Sequence, residues 1–242
     1  MRELNRQMKR TIRRILSEIL NIKSVSTLVL SSLKEEKIRE FYGDDFLSPI
    51  QAFANQGYTE SLYSGLNLTD KSQALILGGY KGDSTFLIYS KFNCNILVYE
   101  PIDEYANEIS KRISPKSKII LERFAVSADD EGLVLNVSGE RTSKFLQSGQ
   151  IVNVKSRDIS LIVKELKKVE LLEMNIEGGE YDVLTRLIST GDINNISTIL
   201  VQFHNFDLTS ELERSKIRNS LNLTHNNIFT FDWVWERWDI KN

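Results

Sequence analysis

The 242-residue sequence has a single cysteine, Cys94. It cannot close an internal disulfide, it offers no basis for a thiolate metal cluster, and its place just before an apolar segment predicts a small buried side chain. Histidine is scarce too, with only His204 and His225, and no clear metal-ligand cluster is visible. There is no run of about 18 apolar residues of the kind a membrane-crossing helix needs, and no apolar core of signal-peptide type at the N-terminus. A soluble, cytoplasmic protein is the expectation. A basic excess is also missing. Lys and Arg total 31 against 33 Asp and Glu, a net charge of −2 that argues against a general nucleic-acid binder.

What is present suits one α/β domain. With 41% hydrophobic and 26% charged residues, the chain can bury a sizeable core. The reading places an N-terminal helical segment at 1–57 and the main domain at 58–242. Within 1–20, six basic residues stand against Glu3 and Glu18, and Leu4, Met8, Ile12, Ile15 and Ile19 recur at helical spacing. Residues 3–20 therefore read as a basic amphipathic helix, packed on the domain or on a second subunit, or else lying on an anionic membrane or gripping an anionic acceptor. A second helical piece is expected over 24–41 and a short one around 50–55. Tyr58, Glu60 and Tyr63, just upstream of the first core strand, are candidate lid residues, with buried, satisfied tyrosines as the alternative.

The chain is organised around residues 73–90. Ala74 to Leu77 reads as a strand buried on both faces, followed at once by Gly78, Gly79 and Gly82. Asp83, Ser84 and Thr85 are suited to cap the helix that follows. A strand, a glycine turn and a helix N-terminus form a site for a nucleotide-like or carboxylate-bearing ligand. The next strand, Asn95 to Tyr99, ends in Glu100 and Pro101, near the roughly 20-residue offset at which an acid reaches ribose hydroxyls. A helix over 102–113 and a third strand at 119–124 continue the alternation required by right-handed crossovers. Ala125, Val126 and Ser127 then form a loop able to pass a purine ring. Leu133 to Val137 alternates like a hairpin strand, residues 139–153 look polar and strand-poor, and Asp158 should cap a helix over 159–166.

A second chemical stretch runs from Val169 to Leu187. A strand to Ile176 ends in Glu177-Gly178-Gly179-Glu180, so Asn175, Glu177 and Glu180 gather at its carboxyl edge. A fifth strand, 196–202, brings Phe203, His204 and Asn205 to the same edge. Ser210 and Glu213 read as a capping-box pair. The aromatic-rich C-terminus reads as an antiparallel strand that finishes the sheet, with Trp233, Trp235 and Trp238 as core or edge cover. His225 lies in a polar turn and receives no role.

Taken together, GGYKGD (78–83), Glu100-Pro101, NIEGGE (175–180) and QFHN (202–205) resemble, in order and from about Tyr58 to the C-terminus, the FkbM family of S-adenosylmethionine-dependent methyltransferases. The resemblance implies a Rossmann-like class I methyltransferase fold: α/β, a mostly parallel sheet with helices on both faces and an antiparallel C-terminal edge strand. It implies S-adenosyl-L-methionine as cofactor, held by Gly78, Gly79, Tyr80, Gly82, Asp83, Ser84, Glu100, Pro101, Ala125, Val126 and Asn175. It also implies O-methylation of a hydroxyl on a sugar, glycan or secondary metabolite. The chain departs from the family pattern at three places. The acid usual two residues before the first glycine is Ile76, and the Lys and Asp usual before the Glu-Gly pair are Glu173 and Asn175. One cofactor-orienting carboxylate is thus missing or supplied from elsewhere, and an amide at 175 cannot act as a base.

A hydroxyl acceptor must lose its proton as the new bond forms. His204, with an unperturbed pKa of about 6.5, is the first choice of general base, and Glu177 and Glu180 are the others. The rival readings are a nicotinamide-dependent oxidoreductase, disfavoured because the turn is GG-x-x-G rather than G-x-G-x-x-G, and an inactive cofactor-binding or scaffold protein of the same fold.

Overall fold

The computed structural model describes Phe53 and residues 62–138, 141–143, 150–205 and 208–241. The expected N-terminal helices, apart from Phe53, and the lid candidates Tyr58 and Glu60 lie outside the described residues.

Strands of four to seven residues, apolar-leaning in the five parallel ones, form a seven-stranded sheet. In chain order its strands are β1 (Gln73–Leu77), β2 (Asn95–Tyr99), β3 (Ile119–Glu122), β9 (Val169–Met174), β10 (Ile196–Val201), β11 (His225–Phe231) and β12 (Trp235–Ile240). Their spatial order is β11-β12-β10-β9-β1-β2-β3. The five strands from β10 to β3 are mutually parallel, and β12 runs antiparallel to both β10 and β11. The C-terminal strand is antiparallel as expected, but it lies one place in from the edge. The aromatic stretch is two strands, and β11 takes the edge.

Strand β1 is buried on both faces because helices cover both. On one side Leu75 and Leu77 join a core with Ile162 and Val163 of α3 (Ile159–Leu166), Leu184 and Leu187 of α4 (Glu180–Thr190), and Ile217 and Leu221 of α5 (Leu208–Thr224). On the other, Ala74 and Ile76 meet Ile88 of α1 (Asp83–Phe92), Ile109 of α2 (Asp103–Arg112), and Phe53, Leu62 and Tyr63 from the chain before β1. Tyr63 is thus a buried core residue whose hydroxyl is bonded to Glu173, not part of a lid.

Helix ends correct several local expectations. Gly82, at φ 91, caps α1 and no side-chain cap is made there, so Asp83, Ser84 and Thr85 do not serve. Asp158 does cap α3, accepting from Ser160 N. Ser210 lies inside α5, which already includes Leu208, so it is not the first residue of a capping box. His225 is buried at the start of β11, with Nε2 against the Ile196 carbonyl at 3.0 Å, rather than in a polar turn.

The segment expected to be strand-poor is a small antiparallel sheet. β5 (Leu133–Ser138) pairs with β6 (Arg141–Ser143) and with β7 (Gln150–Val154). At the base of this arm β4 (Ala125–Ser127) pairs in parallel with β8 (Ser156–Asp158). The arm therefore leaves and returns at one point, beside the carboxyl ends of β1 and β2.

Candidate active site

The sheet's strand order reverses between β1, which continues to β2 and β3, and β9, which continues to β10. Such a switch point leaves a crevice at the carboxyl ends of the strands. A cavity of about 300 Å³ lies there, a size suited to a small ligand. Its walls come from the glycine turn (Gly78, Tyr80), the end of β2 (Glu100, Pro101), β4 (Ala125, Val126), the arm (Leu133, Leu135) and the end of β9 (Asn175, Glu177).

The turn is tight because the chain packs against itself. Gly78 has φ +82, and a Cβ there would stand 2.2 Å from the Asn175 carbonyl oxygen. A Cβ on Gly79 would meet Val98 at 2.5 Å and Ile109 at 2.8 Å. The need for glycine therefore comes from close packing on β9, β2 and α2. Of the turn residues expected to hold a cofactor, Gly78 and Tyr80 line the cavity, whereas Gly79, Gly82, Asp83 and Ser84 do not. Asp83 is at the surface, paired with Arg112 at 2.8 Å.

Glu100 is 5% exposed. One carboxylate oxygen accepts from Tyr80 N at 2.8 Å and the other from Ile102 N at 2.9 Å. Burial raises its pKa to about 7, against these two backbone bonds, which favour the ionised form. Beside it the Tyr80 and Tyr105 rings meet edge to face at 4.6 Å. The Tyr80 hydroxyl is buried without a hydrogen-bond partner among the described residues, an arrangement that leaves a donor for a ligand. Tyr105, Phe124 and Asp182 also line the cavity. None of the three stands out in the sequence as a site residue. Tyr105 was legible only as part of a helical apolar stripe, and Asp182 lies one turn beyond the Gly-Gly pair with no signal of its own.

The other flank holds a charged cluster. Glu180, fully buried at the start of α4, accepts from Gly178 N at 2.8 Å, from His204 N at 2.7 Å and from His204 Nδ1 at 3.0 Å. His204 Nε2 faces Glu177 Oε1 at 3.3 Å. Glu177 sits at φ 51, a left-handed conformation that few side chains adopt, followed by Gly178 at φ 103. With a carboxylate oxygen against each ring nitrogen, both nitrogens carry hydrogen. Burial alone would lower the pKa of His204, but the Glu177 and Glu180 carboxylates outweigh it and raise the value to about 9. His204 is therefore an imidazolium at neutral pH, which corrects the expectation of a mostly neutral base. Glu177 lines the cavity, and His204 and Glu180 stand behind it. Among the described residues no group of three or more His, Cys, Asp or Glu side chains is placed to hold a metal ion.

Residues 77–221, more than half of the chain, match the Methyltransferase FkbM domain. The chain belongs to this family. FkbM membership makes it a methyltransferase with S-adenosyl-L-methionine as cofactor, and the nicotinamide reading falls away. No curated protein matches the chain at a significant level. Among solved structures, a chain of a fibrillarin/Nop5p complex is 12% identical, covers 81% of each chain and has a TM-score of 0.47. An rRNA methylase from Streptococcus thermophilus is 8% identical, with 81% of this chain and 99% of that chain covered and a TM-score of 0.43. A Streptococcus mutans protein in complex with SAH is 8% identical, with 81% and 99% covered and a TM-score of 0.45. The class of fold rests on the strand order and the family match.

The cavity fits that cofactor. It offers an apolar slot between the arm and β4, a buried carboxylate at Glu100 and a Tyr80 hydroxyl without a partner among the described residues. Among the described residues no helix is long and apolar enough to cross a membrane.

Proposed function

We propose that this FkbM protein is an O-methyltransferase acting on a hydroxyl of a sugar, glycan or secondary metabolite, with Glu177 as the group that receives the acceptor's proton. The observation that carries the reading is the order Glu177, His204, Glu180 running from the cavity wall inward. In this reading Glu100 accepts the ribose hydroxyls, and Ala125 and Val126 flank the adenine. When bound, S-adenosylmethionine supplies a methyl group activated by a positively charged sulfur.

The protein's own part is chiefly positional, since an in-line displacement depends on near-attack geometry. Glu177, held in a strained turn, presents a carboxylate to the cavity. His204 is already charged and cannot accept a further proton, so its role is to fix the Glu177 carboxylate from behind. Glu180 in turn fixes His204 through its Nδ1 and its backbone N–H. A hydroxyl proton passing to Glu177 stays on that carboxylate, because His204 beside it already carries hydrogen on both ring nitrogens. Asn175, at the place of the usual family acid, lines the cavity as a neutral amide and takes no proton.

Incubating the protein with methyl-deuterated cofactor and a panel of sugars, sugar nucleotides and phenolic metabolites tests the reading by mass spectrometry. Label on an acceptor oxygen is the expected outcome. Cofactor binding without label transfer to any acceptor would favour the scaffold reading, and label on nitrogen or carbon would overturn the choice of oxygen. The basic N-terminal stretch is proposed to contact a membrane surface or a second subunit.

A further inference from the structure

All the polar groups of His204 have partners, and one of those partners has so far been given no part in the site. Glu180 Oε1 accepts from the His204 backbone N–H at 2.7 Å and from Nδ1 at 3.0 Å, and Nε2 faces Glu177 at 3.3 Å. The remaining contact is on the carbonyl. Tyr181 Oη donates to it at 2.7 Å. Tyr181 is 7% exposed, and its ring lies tilted against Phe203 with centroids 5.5 Å apart.

The place of His204 in the fold explains why side chains hold it. The register of β10 with β9 runs to Val201, and Gln202 N–H still donates to the Met174 carbonyl at 3.0 Å. His204 lies past that ladder. Glu180 and Tyr181 are the first two residues of α4, so the opening turn of one helix grips the amide, the ring and the carbonyl of a single residue. The hydroxyl of Ser210, buried on α5, donates to the same phenol oxygen. Tyr181 thus ties together the two stems of the β10–α5 connection, His204 at one and Ser210 at the other. Burial and the Glu180 charge raise the pKa of the phenol, which keeps it a donor at neutral pH. Tyr181 is not on the cavity wall, so its path to the chemistry runs through His204.

We propose that Tyr181 is a positioning residue: its hydroxyl, bonded to the His204 carbonyl, fixes the imidazole ring against Glu177 and so sets where that carboxylate meets the acceptor. The last step rests on Glu177 as the proton-accepting group. The hold on His204 does not.

NMR titration of the imidazole rings reads that hold without any acceptor, because the chain has only two histidines. His225, buried against the Ile196 carbonyl with a lowered pKa, is the internal reference. The charges acting on His204 are those of Glu177 and Glu180, and in wild type its ring titrates at about 9. In Tyr181→Phe the ring is released from Glu177, and its midpoint falls below about 8, a tenfold weaker hold on the proton, while His225 does not move. S-adenosylhomocysteine affinity, read by calorimetry, stays within about twofold, because sites that share no partner act independently. Ser210→Ala shifts the His204 midpoint the same way by a smaller amount, and stands in if the Phe variant does not fold. An unchanged His204 midpoint in Tyr181→Phe, or in Ser210→Ala where that is the variant that folds, would overturn the assignment even if the melting temperature drops, and would leave Tyr181 a packing residue. A wild-type midpoint near the ordinary value of about 6.5 would remove the ion cluster itself, and this assignment with it. Midpoints that move as stated, beside a failure to methylate any oxygen acceptor, would overturn the reading of Glu177 and leave the hold on His204 standing.

Discussion

The two flanks of the cavity are built by opposite means. On the β1–β2 side, shape is set by backbone packing: glycines pressed onto β9 and α2, and one carboxylate held by two backbone N–H groups. On the β9–β10 side it is set by charge, with Glu177, His204 and Glu180 bonded to one another. The first flank can recognise a ligand with little rearrangement, because its polar groups are already aimed. The second is suited to the proposed proton acceptance, because Glu177 lines the cavity with His204 bonded behind it. Binding and chemistry should therefore separate cleanly in variants of the two sides.

The largest effect is expected at the turn. Gly78→Ala forces a Cβ to within 2.2 Å of the Asn175 carbonyl at φ +82, and should cost about 3 kcal/mol or more in a denaturant titration. At Gly191, also at positive φ but with nothing within 4 Å, the same change should cost only about 1 kcal/mol. Next comes Glu177→Gln, expected to lower kcat by about 100-fold or more in a methyl-transfer assay while leaving S-adenosylhomocysteine affinity within about threefold. Retained turnover would move the base elsewhere.

Glu100→Gln should give the mirror image, an affinity loss of roughly 10- to 100-fold by calorimetry. Its pH dependence has a definite sign. Ribose hydroxyls donate to an ionised carboxylate, and Glu100 ionises at about 7, so wild-type affinity rises as pH climbs through that value. In Glu100→Gln the profile is flat over this range. The last effect concerns stability. His204 has a folded pKa of about 9 against 6.5 unfolded, so its contribution is complete below pH 6.5 and is lost as pH rises through 9. That contribution is at most about 3 kcal/mol. Thermal melts of wild type should fall across this window, and those of His204→Asn should not.

How much of this was legible in the sequence follows from how local each feature is. Glu100 lies 20 residues beyond Tyr80 of the glycine turn and its carboxylate accepts from the Tyr80 backbone N–H, so spacing alone predicts them. β5 was legible from its alternation, but its partners β6 and β7 were missed because they lie in a polar stretch whose strand character shows only once it pairs with β5. His204 was legible as a residue at a strand end, but its protonation was not. It depends on Glu180, 24 residues upstream, and on a strained turn at Glu177. The purpose of the glycines was also hidden, since the Asn175 carbonyl that forbids a side chain at Gly78 arrives from almost a hundred residues away.

A crystal structure with S-adenosylhomocysteine bound tests the central claim most directly. The account predicts the ribose hydroxyls on Glu100 and the sulfur facing the Glu177 carboxylate, with open space for an acceptor between them. A ligand bound away from Glu100, or a sulfur turned away from Glu177, would contradict it.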